Sequence, residues 1–390
     1  QYTYTVMMRD FLGNVSVSST GHLVTTGPEA PAGGDATALN SAFNALKEHI
    51  DGTTTLTGPE IAALKSTIDA KSGFIGTHSA AIQASFDLIE TYDSVIGPIF
   101  VQGSPVQSFG RSESNENIHW VVYTVMEHIM DNVYTLDNVL SYDYLFEGFK
   151  FGSSAFFPGA ADPPADPDAI YKVSIDASCP DTYGDDTMYT LSPARRPTGA
   201  YVAPGATAKI TVPASIVGRG YSIRVGAHSW DFSNKPTIKR MDRVSRVYPI
   251  DSTVIEVANP LGGGIYIEVP HLEIEGIIEV QIRNAIRSPY FSAKSFHTTT
   301  LSEWQTVERN HPAPWADFQS EKFMMNVPTD WIYALDDPVT LMADHDLAMD
   351  AINELMGYPE GQGKETMYPQ VDLSLRASVF APGYPSVNMS

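Results

Sequence analysis

The spacing of apolar residues changes character along the chain, and each change predicts a different kind of element. Gln1 to Val24 alternates in short stretches (Tyr2, Tyr4, Val6; then Val15, Val17), which predicts a small β element, with a Gly- and Pro-containing linker closing residues 1–34. From Asp35 the period becomes helical: Leu39, Phe43, Leu46 and Ile50 fall on one face. Thr57-Gly-Pro-Glu60 supplies a capping box with Pro in the first turn, and Ile61, Leu64 and Ile68 follow as an apolar stripe. Ile82, Phe86 and Ile89 repeat the signal, as do Ile118, Val121, Val122, Val125, Ile129 and Val133 between about Asn115 and Leu140. Amphipathic segments in this order predict a helical bundle over residues 35–156.

Residues 157–168, Phe-Pro-Gly-Ala-Ala-Asp-Pro-Pro-Ala-Asp-Pro-Asp, predict an extended Pro-rich linker. Beyond it short β runs alternate with Gly and Pro turns: Tyr171–Ile175, Ala208–Val212, Tyr221–Val225, Val254–Val257, Ile265–Val269 and Ile277–Ile282. Residues 169–297 therefore predict a β-sandwich. From Ser302 helical patterning returns, and 298–390 predicts the opening of a further, mostly helical domain. The fold class expected is multidomain α+β.

Charge narrows the partners. Lys plus Arg number 24 against 46 Asp plus Glu, a formal net charge of −22, which opposes approach to nucleic-acid phosphates and anionic membranes. No apolar run approaches the roughly 20 residues that span a bilayer, so neither nucleic-acid binding nor membrane insertion is expected. Cys179 is the only cysteine, which excludes an internal disulfide and a Cys-based zinc site. A chain starting at Gln1, without a signal-peptide pattern, fits a processed or trimmed polypeptide.

The stretch from Thr198 to Pro270 carries the most specific signal. It runs Thr198-Gly-Ala-Tyr-Val-Ala-Pro-Gly205, Ile210-Thr-Val-Pro213, Tyr221-Ser-Ile-Arg-Val-Gly-Ala-His-Ser229, Arg240, Pro249-Ile250 and Asn259-Pro-Leu-Gly-Gly-Gly-Ile-Tyr-Ile267, ending at Val269-Pro270. In this order the motifs resemble the β-sandwich leading into the catalytic domain of enhancin-type (M60-like) zinc metallopeptidases, a gluzincin family that includes bacterial mucinases. Ala313-Pro-Trp-Ala-Asp-Phe318 and Lys322 to Thr329 are similar to the start of that catalytic domain, and Val371-Asp-Leu-Ser-Leu375 with Gly383-Tyr-Pro385 to a segment shortly before its zinc motif. The N-terminal half and the linker resemble those of the secreted O-glycoprotein-cleaving members, the immunomodulating metalloproteases.

The resemblance implies a secreted or cell-surface enzyme acting on glycoproteins. In the intact enzyme two histidines and a downstream glutamate would bind one zinc, and the motif glutamate would activate zinc-bound water. The family's His-Glu-x-x-His is absent here: no His-Glu pair in that order occurs in the sequence. The resemblance places it downstream of Gly383-Tyr-Pro385, so a missing C-terminal catalytic segment is expected as partner; a degenerate relative is the other account. No catalytic residue and no metal ligand is therefore transferred, and zinc is expected only in the intact enzyme. This part of it is expected to serve recognition and scaffolding.

For recognition, flat rings flanked by polar groups are what a pyranose needs. Tyr221, His228, Trp230, Trp304, Trp315, Trp331 and Tyr384 are the candidates, with Gly383, Tyr384, Trp230 and His228 chosen as substrate-binding. Other clusters read as structural. His119, Tyr123, Glu127 and Asp131 share a helical face expected to be solvated; Asp344-His345-Asp346 does not converge on a helix; Asp185-Asp186 and Asp162–Asp168 lack calcium-loop spacing. Cys179 reads as buried packing, and Gly262-Gly-Gly264 as a turn between strands. Two other classes stay open: a stand-alone glycan-binding or adhesion module, which binds sugar without zinc, and a structural or assembly protein, which forms oligomers and binds no glycan.

Overall fold

The computed structural model describes residues 29, 31–102, 104–179, 193–357, 368–372, 374–375 and 386–388. The expected N-terminal β element, Asp185-Asp186, Gly383 and Tyr384 lie outside the described residues. The described chain combines helices with several sheets, an α+β arrangement.

The helical layer is built from α1 (Gly34–Ile50), α2 (Gly58–Lys71), α3 (Ser79–Val95) and α4 (Ile118–Asn132), with the short α5 (Leu136–Ser141) and α6 (Asp143–Phe146). The stripe read from the sequence is the buried one: Leu39, Phe43, Leu46 and Ile50 face the core of α1. The capping box opens α2, where the Glu60 carboxylate accepts the Thr57 N–H at 2.7 Å. The single helix expected from about Asn115 to Leu140 is broken, because the Thr135 hydroxyl accepts the Asn138 N–H and starts α5. Between α3 and α4 lies a small hairpin, β1 (Phe100–Val101) with β2 (Ser104–Pro105).

Two sheets form the sandwich. The outer one orders β3 (Tyr171–Cys179), β10 (Glu273–Arg283), β5 (Thr207–Thr211) and β8 (Val254–Ala258). The inner one orders β11 (Ile286–Arg287), β4 (Ala194–Val202), β9 (Gly263–Val269), β6 (Ser222–Val225) and β7 (Arg246–Pro249). Along β3 every second residue, Val173, Ile175, Ala177 and Cys179, is buried, as expected of a strand packed on one face. Strands β4 and β9 are buried at every position because they are covered on both faces. The Gly262-Gly263 turn that feeds β9 holds positive φ at both residues, and a Cβ on Gly263 would strike the Gly226 backbone at 2.5 Å.

The third sheet adds to the helices expected after Ser302: the described residues from Tyr290 onward form a six-stranded sheet together with two α-helices. Its order is β13 (His297–Thr298), β12 (Tyr290–Lys294), β14 (Trp315–Gln319), β15 (Met324–Pro328), β16 (Gln370–Asp372) and β17 (Ser386–Asn388), flanked by α7 (Leu301–Thr306) and α8 (Pro338–Met356). The pairings are mixed: β14 runs antiparallel to β15 but parallel to β12, and β16 is parallel to both its neighbours. The start of the Pro-rich segment is no loose spacer, since Phe157 is buried and joins the core that runs through all these layers.

Candidate functional site

Of the side chains that the sequence singled out, His228, Trp230, Trp315 and Glu127 lie where the helical layer, the inner sandwich sheet and the third sheet meet. His228 follows β6 and is 2% exposed. Its ring lies 4.8 Å from Phe157 and 4.7 Å from Trp315, and Nε2 donates to the Val371 carbonyl at 2.7 Å. Burial pushes its pKa down to about 4, so the imidazole is neutral. As a sugar-contacting residue His228 is corrected: it is a packed bridge between sheets, out of reach of a large ligand.

Trp230, two residues on, stays half-buried. The Lys235 ammonium sits 4.7 Å from its ring centre and Phe232 meets it edge-on at 6.3 Å. Its carbonyl accepts from Arg240, whose guanidinium lies 3.7 Å from the Phe232 ring centre. Arg240 forms a buried pair with Asp372 at 3.0 Å. Burial alone would raise the Asp372 pKa, but the Arg240 guanidinium and the Ser374 N–H hold it below the usual carboxylate range.

On the helical side the expectation of a solvated face fails. Tyr123 and Glu127 are buried, and His119 Nδ1 bonds the Tyr92 hydroxyl at 2.9 Å. The Glu127 carboxylate accepts the Asp242 N–H at 2.7 Å and pairs with Arg243 at 2.8 Å, while Arg243 also holds Asp131. Burial, outweighing Arg243, raises Glu127 to about 8. Arg111 grips Asp242 and the Phe232 carbonyl from the same side. The loop between β6 and β7 is therefore clamped by the helices on one face and by the third sheet on the other.

A second buried cluster joins the inner sheet to β14. Asp317 accepts from the hydroxyls of Tyr266 at 3.0 Å and Tyr368 at 2.6 Å and from the Asn326 amide at 3.1 Å. Burial raises it to about 6 despite these donors. Arg195 lies 5.8 Å from both tyrosine rings and donates to the Ala227 carbonyl at 2.6 Å. It shares Glu268 with Arg224; burial would raise that carboxyl, but the two guanidinium groups keep it low. Sequence reasoning missed this cluster; its one signal was Asp317 at a buried position of a strand otherwise rich in Trp, Ala and Phe.

The remaining candidates separate cleanly. Tyr221 is buried and donates to the Ala177 carbonyl at 2.7 Å. Trp304 is fully buried with its indole N–H on the Leu335 carbonyl, Trp315 is buried against the Pro158 carbonyl, and Trp331 is 47% exposed. Cys179 is buried with its sulfur 3.6 Å from His271 Nδ1. His345 stacks on Phe323 while Asp346 accepts from Ser320 and the Lys322 N–H. Among the described residues no three His, Cys, Asp or Glu side chains are grouped to hold a metal ion, so these residues do not fit a zinc site. No described helix is long and apolar enough to cross a membrane.

Comparison with known proteins bears on the same regions. Residues 174–283 match the N-terminal domain of M60-like peptidases, and residues 284–390 match peptidase M60, enhancin and enhancin-like. A TRPM8 channel-associated factor homolog of Xenopus laevis is 36% identical over 191 residues, 49% of this chain and 21% of that protein. TRPM8 channel-associated factor 2 of Homo sapiens is 28% identical over 162 residues, 42% of this chain and 17% of that protein. The chain spans about a fifth of the length of the curated relatives it matches. The solved IMPa metallopeptidase from Pseudomonas aeruginosa shares the fold with a TM-score of 0.53 at 11% identity, over 85% of this chain and 38% of that one. With both models matched in succession across residues 174–390, the chain belongs to the M60-like peptidases, the enhancin and enhancin-like family.

Proposed function

We propose that this chain is the recognition and scaffolding part of a secreted or cell-surface zinc metallopeptidase that cleaves O-glycosylated proteins such as mucins. The observation that carries this reading is the unbroken succession of an M60-like N-terminal domain and an M60 peptidase domain over residues 174–390. In this reading zinc and its ligands belong to the intact enzyme, outside the described residues, and the catalytic segment is this chain's partner. Trp230, with Gly383 and Tyr384, supplies the contact to glycan. The buried ion pairs around the β6–β7 loop support it, because a ring presented to a sugar must be held by a rigid frame.

The test is expression of the complete reading frame, with metal analysis and incubation with mucin. Bound zinc and glycan-dependent cleavage are the expected result. A frame without His-Glu-x-x-His, yielding a protein that leaves mucin intact, contradicts it. A second reading, a non-catalytic binding protein, is favoured by one observation: curated relatives are named as TRPM8 channel-associated factors. It would be distinguished by association with a partner protein or glycan and no hydrolysis.

A further inference from the structure

A cleft of about 380 Å³ opens between the short helix α6 and the outer sandwich sheet, and the β6–β7 loop with Trp230 takes no part in its walls. It is lined by Tyr144 of α6, Asp168 of the Pro-rich segment, Lys209 of β5, Glu256 of β8, and Arg283 and Asn284 at the end of β10. Hydrogen bonds fix these walls to one another. The Asn284 N–H donates to the Pro167 carbonyl at 3.0 Å, and its side-chain amide donates to the Thr207 carbonyl at 3.0 Å. Beside the cleft the Gly148 N–H donates to the Gly205 carbonyl at 2.8 Å, joining the helical layer to the sandwich. Phe146 roots α6 in the core against Phe86 and Tyr134, while Tyr144 on the same helix is 64% exposed. A ring left in water on a helix held this firmly offers a flat apolar face at little ordering cost.

The charges of the lining decide what can enter. Four carboxylates, Asp143, Glu147, Asp168 and Glu256, face two cations, Lys209 and Arg283. Lys209 is already paired with Glu256 at 2.9 Å. The excess of negative charge opposes a phosphate, a sulfate or a sialic acid. Among the described residues no three acidic or histidine side chains are grouped to hold a metal ion, so the carboxylates are spread along the cleft. Separated acceptors, an amide, a guanidinium and a ring face match the hydroxyls and the apolar face of a neutral sugar. The volume lies low in the range of roughly 300–1,000 Å³ for small-molecule sites, which suits one or two sugar rings better than a length of peptide.

We infer that this cleft is a second glycan subsite, taking a neutral mono- or disaccharide against the ring of Tyr144. It rests on the glycoprotein reading proposed above and adds to it that the sugar recognised here is uncharged. A glycosylated substrate would then be held at the junction of helical layer and sandwich as well as at Trp230.

The test is a saturation-transfer NMR titration of the Trp230→Ala chain, in which the contact proposed above is silent. The probes are galactosyl-N-acetylgalactosamine, its sialylated form and oligolysine. The neutral disaccharide is expected to bind, and adding Tyr144→Ala should weaken it by about five- to tenfold without lowering the melting temperature, since the ring is exposed. The sialylated form should bind about tenfold more weakly at low salt, the gap narrowing as salt is added. Glu147→Lys combined with Asp168→Lys should narrow that gap at low salt.

No binding of the neutral disaccharide to the Trp230→Ala chain, or binding that Tyr144→Ala leaves intact, overturns the subsite. The glycoprotein reading survives that result if the parent chain binds the disaccharide, and falls with it if the parent does not. Oligolysine binding that Tyr144→Ala removes, with the disaccharide ignored, assigns the cleft to a basic peptide instead. Disaccharide binding lost in Tyr144→Ala, in a complete polypeptide that leaves mucin intact, supports the subsite and overturns the peptidase reading alone.

Discussion

Arg240 and Asp372 form a buried ion pair at 3.0 Å across 132 residues of sequence, tying the β6–β7 loop of the sandwich to strand β16 of the third sheet. Neither side chain is more than 2% exposed, so neither charge has water to fall back on. The pair fixes how the sandwich meets the peptidase-matched region.

Breaking that pair should cost more than removing it. Arg240→Ala leaves Asp372 charged and buried, and is expected to destabilise the fold by about 3–5 kcal/mol. The double variant Arg240→Met with Asp372→Leu should lose less than either single truncation. Denaturant titration of Arg240→Ala, Asp372→Ala and the double variant checks this; a double variant that loses as much as the two single losses summed contradicts it.

Glu127 gives a pH dependence whose sign is fixed. An unfolded Glu titrates near 4.5 and this one at about 8, so between those values the folded state holds the extra proton. Stability from this group is therefore full below the lower value and falls as pH rises through the interval. Asp317, raised from 3.8 to about 6, acts in the same direction over a lower window. Glu127→Gln keeps the acceptor for the Asp242 N–H and should flatten the decline of melting temperature over that interval; an unchanged slope contradicts the assignment.

His228 works the other way. Its folded pKa of about 4 lies below the ordinary 6.5, so the unfolded state binds the proton first and stability falls as pH drops between the two. His228→Ala should lower stability by about 2–4 kcal/mol through the cavity and the lost bond to Val371. Where the variant is folded, glycan affinity should match the parent, because the ring is buried. Trp230→Ala is expected to do the reverse, weakening glycan binding with little loss of stability.

How far the sequence carried depends on what each segment buries. Helix α1 and strand β3 were legible because their apolar residues repeat at the period of the element and face one core. Strand β4, Ala194–Val202, was not, although every residue in it is buried. Arg195 and Arg196 break its apolar pattern, yet Arg196 is satisfied by the carbonyls of Asp176 and Ser178 on the outer sheet. Pro197 sits at a register shift against β9, where the missing N–H is tolerated.

The candidate site was hidden for a related reason. Glu127 looked like a solvated helix residue because its partners, Asp242 and Arg243, lie more than a hundred residues away in a loop with no periodic signal. His228 and Trp230 are two apart in that same loop, and nothing local separates the one that packs inward from the one that stays half-exposed. The third sheet, whose strands lie among the helices expected after Ser302, closes over His228 through Trp315 and Val371.

Binding of an O-glycosylated mucin peptide, compared with the same peptide stripped of sugar, tests the central claim most directly. Calorimetry with this chain, with and without EDTA, is expected to show affinity for the glycosylated peptide alone, unaffected by the chelator and reduced in Trp230→Ala. Equal binding of the bare peptide, or no binding of either, contradicts a role in glycoprotein recognition.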